Sequence, residues 1–289
     1  MGTDVRRILR KLNIRPTKAF GQNFLTDTWV LQNIAEAAEL TPNDTVLEIG
    51  PGLGSLTSWL AEDAGFVVAV EIDNRLVPVL HDLLIAYRNV HIINADILKL
   101  DLKKELAPFM TADDGTPRTL KVVANLPYYI TTPVIMKLLE NGLEAECMVF
   151  MVQKEVARRM MAEPGGKDYG ALTVAVRYYS APSIIMDVPP HCFIPQPDVD
   201  SSVIRLDLYK TPPVELKDKD LFFKVVKAAF GQRRKTLVNA LNNAGYIGAD
   251  KEQIRILLEK TGIDEKQRGE TLSISQFAQL ANHLYELLH

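Results

Sequence analysis

Asn125, Leu126, Pro127 and Tyr128 carry the clearest chemical signal in the chain: a polar amide, a constrained backbone and an aromatic ring directly after an apolar run. The stretch 122–132 begins as a short apolar run that stops abruptly at Asn125, which reads as a buried parallel strand opening into a loop at its carboxyl end. Pro127 fixes its own φ and pushes Leu126 toward extended backbone, so the Leu126 carbonyl has no helix or ladder partner and can point at a ligand. The Asn125 side-chain oxygen and that carbonyl can together accept both hydrogens of one amino group, while Tyr128 offers a flat ring to a planar base. Such a socket suits an aromatic amine, although Asn and Pro also favour turns on steric grounds alone.

A second constellation is Glu48-Ile49-Gly50-Pro51-Gly52-Leu53-Gly54, placed where a strand meets a helix. Its glycines let the backbone approach a ligand, but the third arrives one position earlier than in the GxGxxG pattern of dinucleotide-binding folds. A carboxylate at Glu48 would repel a pyrophosphate at the helix N-terminus and suits a ligand with a cationic amino-acid end. S-adenosylmethionine is such a ligand. Glu71, at the end of the next strand, is placed to accept from both ribose hydroxyls, and Asp96, after the third, can accept from the adenine amino group. Asp96 also has the ordinary alternative of capping a helix.

The elements that position these residues alternate regularly. A helix is predicted over 27–40, then strand 45–49, a helix to about residue 64, strand 66–72, a helix over 75–86 and strand 90–94. A surface loop falls within 104–119, followed by strand 121–124, a helix over 133–141, strand 147–153 and a helix from 154 to 161. Apolar segments 172–179 and 183–188 follow, and 202–209 alternates in the manner of a strand. The succession predicts a doubly wound, Rossmann-like sheet, mostly parallel, closed by an antiparallel edge. Beyond Thr211-Pro212-Pro213 no strand pattern remains, and helices are predicted over 221–230, 234–243, 251–261 and 274–288. The organisation is therefore a sheet domain over 1–209 with a basic lead-in, then a small helical domain over 210–289.

With 289 residues, 47% of them hydrophobic, the chain can bury a full core. No apolar run approaches the roughly 20 residues needed to span a bilayer, and the basic N-terminus lacks a following apolar block, so the expected compartment is the cytoplasm. Cys147 and Cys192 form no ligand spacing, and the five histidines are scattered, so reduced thiols and no metal site are expected. A net charge of −3 argues against coating nucleic acid by bulk electrostatics. Two local clusters nonetheless fit phosphate contacts: Arg6, Arg7, Arg10 and Lys11 near the start, and Arg233-Arg234-Lys235 at an expected helix start.

Several motifs in order carry a resemblance over nearly the whole chain: Gly21-Gln-Asn-Phe-Leu25, Glu48 to Gly54, Val70-Glu-Ile-Asp73, Asn94-Ala-Asp96, Asn125 to Tyr128, and Phe193-Ile-Pro-Gln-Pro-Asp-Val-Asp-Ser201. On these the chain resembles the ribosomal RNA adenine dimethyltransferase family of the KsgA type, which methylates two adjacent adenines near the 3′ end of small-subunit rRNA. The resemblance implies that Asn23, Leu25, Gly50, Glu71, Asp96 and Asn125 line the methyl-donor pocket, and the charge and spacing argument adds Glu48, Gly52 and Gly54 as cofactor-binding candidates. It implies further that Asn125, Leu126, Pro127 and Tyr128 form the target-adenine socket, with Phe193 stacking on the flipped base from the other side. The implied partner is 16S rRNA within the small (30S) ribosomal subunit or its precursor. Two other readings stay open: a large-subunit adenine methyltransferase of the macrolide-resistance type, and a ribosome-assembly or binding factor with incidental catalysis.

Overall fold

Buried apolar runs build the centre of the protein, whose computed structural model describes residues 5–11 and 21–289. The strands are β1 (Phe24–Leu25), β2 (Asp44–Ile49), β3 (Phe66–Glu71), β4 (Val90–Asn94), β5 (Thr119–Asn125), β6 (Ala145–Gln153), β7 (Ser180–Val188), β8 (Phe193–Ile194) and β9 (Ser201–Leu208). Seven of them form one sheet in the order β4-β3-β2-β5-β6-β9-β7, while β1 and β8 pair as a separate antiparallel ribbon. Val46, Leu47, Val67, Val68, Val122, Val123 and Met148 are fully buried. Central parallel strands covered on both faces need such continuous apolar runs. β2 pairs in parallel with β3 and β5, β3 with β4, and β5 with β6, whereas β9 runs antiparallel to β6. The sheet is thus mostly parallel with an antiparallel edge, as the alternation predicts.

Chain order reverses between β2 and β5, so a crevice opens at the carboxyl ends of these two neighbours. Ile49 pairs with Ala124 in that ladder, and this brings the glycine turn beside Asn125. Helix Thr28–Ala37 starts where the Asp27 side chain accepts from Val30 N at 3.1 Å and buries Val30, Leu31 and Ile34. The helix expected over 75–86 shortens to Val77–Leu83, because Asp73 engages both the backbone and the guanidinium of Arg75 just before it. The surface loop expected within 104–119 is present over 112–116, and ahead of it a short helix, Leu102–Leu106, forms where Asp101 accepts from Lys104 N.

Chain contacts divide the protein into two compact units: one runs to Ala157 and resumes over Pro182–Leu208, the other comprises Arg158–Ala181 and Tyr209–His289. A single boundary near 209 does not anticipate this exchange, since segment 172–179 forms helix Ala171–Tyr179 and packs with the second unit. That unit gathers Tyr178, Phe222, Val225, Leu241, Ile254, Phe277 and Leu280 into one core. Around it lie helices Lys219–Gly231, Leu237–Asn243, Lys251–Lys260 and Ile274–Leu288.

Candidate functional site

A cavity of about 430 Å³ occupies the crevice between β2 and β5. Its floor is the glycine turn, where Gly50, Gly52 and Gly54 all have positive φ (71°, 60° and 75°). At Gly52 a side chain is excluded twice over, since an added Cβ would also lie 3.1 Å from the Phe24 ring.

Two carboxylates sit beside this floor with no ion pair among the described residues. Glu48 is 1% exposed in the middle of the sheet, and its Oε2, like Thr57 Oγ1, has no hydrogen-bond partner among the described residues. Burial is the largest cause that pushes the Glu48 carboxyl up to about 8; Thr57 nearby opposes the shift and the charge of Glu71 adds to it. Glu71 accepts from Asp73 N at 2.8 Å and Gly52 N at 3.2 Å. Burial raises its carboxyl too, against the pull of those backbone donors. A buried carboxyl with an unpartnered oxygen is costly to ionise unless a cation arrives, so Glu48, with the hydrogen-bonded Glu71 beside it, fits a positively charged ligand. Asp73 steadies the wall: it accepts from Gln22 Nε2 at 2.9 Å and pairs with Arg75 at 2.6 Å, and Arg75 holds its carboxyl below the usual range.

On the far side, the Asn125 Nδ2 donates to the Asn23 carbonyl at 3.2 Å. That bond orients the amide and leaves Oδ1 as the acceptor offered to a ligand. Leu126 N donates to Met151 O at 3.1 Å, and Thr131 and Ile130 both donate to the Pro127 carbonyl. The short frame is therefore pinned on both flanks of Leu126, while no described donor reaches the Leu126 carbonyl itself. Tyr128 lies half-buried on the wall.

Asn23, Leu25, Glu48, Gly50, Gly52, Glu71, Asp96, Asn125, Leu126, Pro127 and Tyr128 all line this one cavity. Asp96 does not cap a helix: one of its oxygens accepts from Leu98 N at 2.9 Å within the turn that follows β4, and the next helix is capped by Asp101. Two expected residues are elsewhere. Gly54 is packed against Leu80 and Leu84, so its bare Cα serves the approach of those side chains rather than a ligand. Phe193 is 1% exposed in the apolar cluster with Leu25, Ile34 and Val203, because pairing of β8 with β1 turns its ring into the core instead of toward a base.

The cavity also holds residues that spacing did not single out: Ile72, Ile97 and Leu98, apolar flanks for a planar ligand, and Tyr129, 52% exposed beside Gly21. A large apolar residue directly after the strand-ending Glu71 was the available signal for Ile72. Of the basic residues, Arg7 and Arg10 are exposed on helix Val5–Lys11, whose Val5 and Leu9 are buried with Leu53 and Leu76. The side chains of Arg6 and Lys11, and residues 12–20, lie outside the described residues. Arg233, Arg234 and Lys235 do not start a helix: they form the turn before Leu237–Asn243. All three are exposed, and Arg233 is engaged by Glu270 at 3.1 Å and by the Lys167 carbonyl. No helix among the described residues is long and apolar enough to cross a membrane, and none of their side chains form a metal-binding group.

Known proteins share this architecture. The family model for ribosomal RNA adenine dimethylase matches residues 13–285. The ribosomal RNA small subunit methyltransferase A of Alkaliphilus oremlandii is 50% identical over 98% of this chain and 96% of its own length. The protein of the same name from Anoxybacillus flavithermus is 50% identical over 99% and 96%. Among solved structures, a dimethyladenosine transferase from Plasmodium falciparum superposes with a TM-score of 0.76 at 25% identity, covering 91% of this chain and 98% of that one. The 23S rRNA methyltransferase ErmE gives 0.65 at 28% identity, over 91% of this chain and 100% of that one. Because that family model spans nearly the whole chain and relatives at half identity match it end to end, the chain belongs to the ribosomal RNA adenine dimethylase family.

Proposed function

We propose that this protein transfers methyl groups from S-adenosylmethionine to the exocyclic nitrogens of two adjacent adenosines near the 3′ end of 16S rRNA, acting in the cytoplasm on the small ribosomal subunit or its precursor as part of subunit maturation. The observation that supports the reading is the shared cavity: Asn125 and Leu126, which carry the two acceptors, line the same space as Glu48, Glu71 and the glycine turn. Glu48, Glu71, Asp96 and the backbone of Gly50 and Gly52 would hold the donor. When bound, it supplies an electrophilic methyl carbon attached to a positively charged sulfur.

The residues of the chain do the remaining work. The adenine amine is a poor nucleophile because its lone pair is delocalised into the ring. Acceptors at Asn125 Oδ1 and the Leu126 carbonyl favour the pyramidal nitrogen of the transition state over the flat ground state. Pinning of the Leu126 frame keeps those acceptors in place before the substrate arrives, which replaces a bimolecular search with orientation. Tyr128 stacks on a base that has left its helix, offsetting an unstacking cost of about a few kcal/mol. No strong base is needed, since the nitrogen becomes acidic once methylated and its proton can leave to water.

The test uses small subunits lacking the modification and a labelled methyl donor. The expected outcome is dimethylation of both adenosines. Label in large-subunit RNA would favour the macrolide-resistance reading, which the 28% identity to ErmE, against 50% to the small-subunit enzymes, makes the weaker one. Stable subunit binding without transfer would favour an assembly factor. The helical unit and the N-terminal helix are the proposed rRNA contacts: neutralising Arg234 and Lys235 should weaken subunit affinity and flatten its salt dependence while leaving donor affinity intact. An unchanged salt slope would remove those two residues from the interface.

A further inference from the structure

The segment 193–201 contributes no side chain to the cavity, yet both of its ends are fastened to residues that do. At its start, Phe193 and Ile194 pair antiparallel with Leu25 and Phe24, next to Asn23. The Cys192 carbonyl just before them accepts from Thr26 twice, from N at 2.9 Å and from Oγ1 at 3.0 Å. At its far end, Ser201 Oγ lies 2.6 Å from Tyr128 Oη.

Ser201 cannot drift. It is 0% exposed, it pairs with Gln153 of β6, and the preceding Asp200 carbonyl accepts from Lys154 N at 3.0 Å. Ser202 points to the opposite face of the sheet and donates to Asp187 at 2.6 Å, which in turn pairs with Lys154 at 2.6 Å. A shift of the strand would therefore break polar contacts on both faces at once.

Tyr128 is the opposite case: it is half-buried on the cavity wall, at the start of the short turn Tyr128–Ile130. Its hydroxyl meets the fully buried Ser201 Oγ, so the bond lies at the protected tip of a ring whose body forms part of the cavity wall. What the serine does is arrest the ring. A hydrogen bond at the tip of the side chain limits rotation about both of its torsions, and a stacking surface held in one attitude loses less on meeting a base.

We propose that Ser201 is a positioning residue for the reaction: it holds the Tyr128 ring where it stacks on the target adenine, so that 193–201 acts as a strap setting the base platform and the donor wall from one piece of chain. This rests on the reading of Tyr128 as the base platform. It gives a role to a motif whose aromatic, Phe193, is turned into the core.

A double-mutant cycle tests it, using Ser201→Ala, Tyr128→Phe, the pair together, and Tyr128→Ala, each assayed on small subunits and by calorimetry with S-adenosylhomocysteine. Ser201→Ala should lower kcat about fivefold, the scale of one hydrogen bond, with KM for subunits and S-adenosylhomocysteine affinity unchanged. Tyr128→Phe should lose the same factor, and the pair no more than either alone. The proposal is overturned if Ser201→Ala lowers kcat as much in the Tyr128→Phe background as in the native one, or weakens S-adenosylhomocysteine in proportion, since either marks a general structural role. Full kcat in Ser201→Ala beside a loss of about a hundredfold or more in Tyr128→Ala refutes the positioning role and leaves the platform standing. Native kcat in Tyr128→Ala removes the platform and the proposal together.

Discussion

The helical unit and the carboxyl edge of the sheet follow opposite rules. In the former, three helices begin at residues whose side chains take up the first exposed amides: Asp218, Asp250 and Ser273. The two last are capping boxes, with Gln253 and Gln276 returning the bond to the cap backbone. At the sheet edge the local rules are broken. A carboxyl is buried there with one oxygen that has no partner among the described residues, and none of their donors reaches the carbonyl that precedes Pro127. The difference points to where a ligand would be met, because the unpartnered Glu48 oxygen lines a cavity, and a buried polar group left open beside a cavity is one that a ligand can satisfy.

The strongest attack on that contrast removes an acceptor. Asn125→Ala should reduce kcat about a thousandfold, the upper range for a preorganised donor or acceptor aimed at the transition state. Calorimetry should find S-adenosylhomocysteine affinity within a few-fold of native and subunit binding intact. Substantial residual transfer would make the edge's unsatisfied oxygens ordinary surface groups.

Next in size is the pH dependence that Glu48 imposes. Its carboxyl is raised from 4.5 to about 8, so between those values the folded protein keeps a proton that the unfolded chain has released. Unfolding free energy must then fall as pH rises through that window and level off above it. Glu48→Gln should remove this slope, so its stability advantage over the native protein grows by on the order of a few kcal/mol between the two limits. Denaturant titrations at several pH values decide the matter. Parallel curves for the two proteins would mean that Glu48 is already paired.

A smaller effect separates turn geometry from charge. In Gly52→Ala the new residue must hold a left-handed conformation and meet the Phe24 ring at 3.1 Å. The conformational cost alone is about 1–2 kcal/mol, so donor affinity should fall about tenfold while kcat at saturation changes less.

These contrasts also explain what the sequence made legible. Strands with continuous apolar runs, such as 122–124 and 147–152, and helices with an oxygen-bearing cap could be placed directly, because local chemistry determines them. The cavity residues Glu48, Glu71, Asp96 and Asn125 were legible because each ends or interrupts an apolar strand. Phe193 was not: its direction depends on β8 pairing with β1 across 168 residues between Leu25 and Phe193, which no local pattern encodes. Residues 171–179 were ambiguous for a related reason. Val174, Val176, Tyr178 and Tyr179 suit a strand intrinsically, and packing against Leu221 and Phe222 makes them a helix.

The mildest test lies in the helical unit and probes the contrast from its other side. Asp250 accepts from Gln253 N at 2.9 Å while Gln253 Oε1 accepts from Asp250 N at 2.8 Å, so Asp250→Ala leaves exposed amides at the start of Lys251–Lys260 with water as their partner. A lost N-cap costs about 1 kcal/mol, which should lower the melting temperature by a few degrees. Because the cap serves the helix and no ligand, donor affinity and kcat should stay at native values. A fall in either would mean that the locally satisfied unit also tunes the site, and the division between a structural and a functional region would have to be drawn elsewhere.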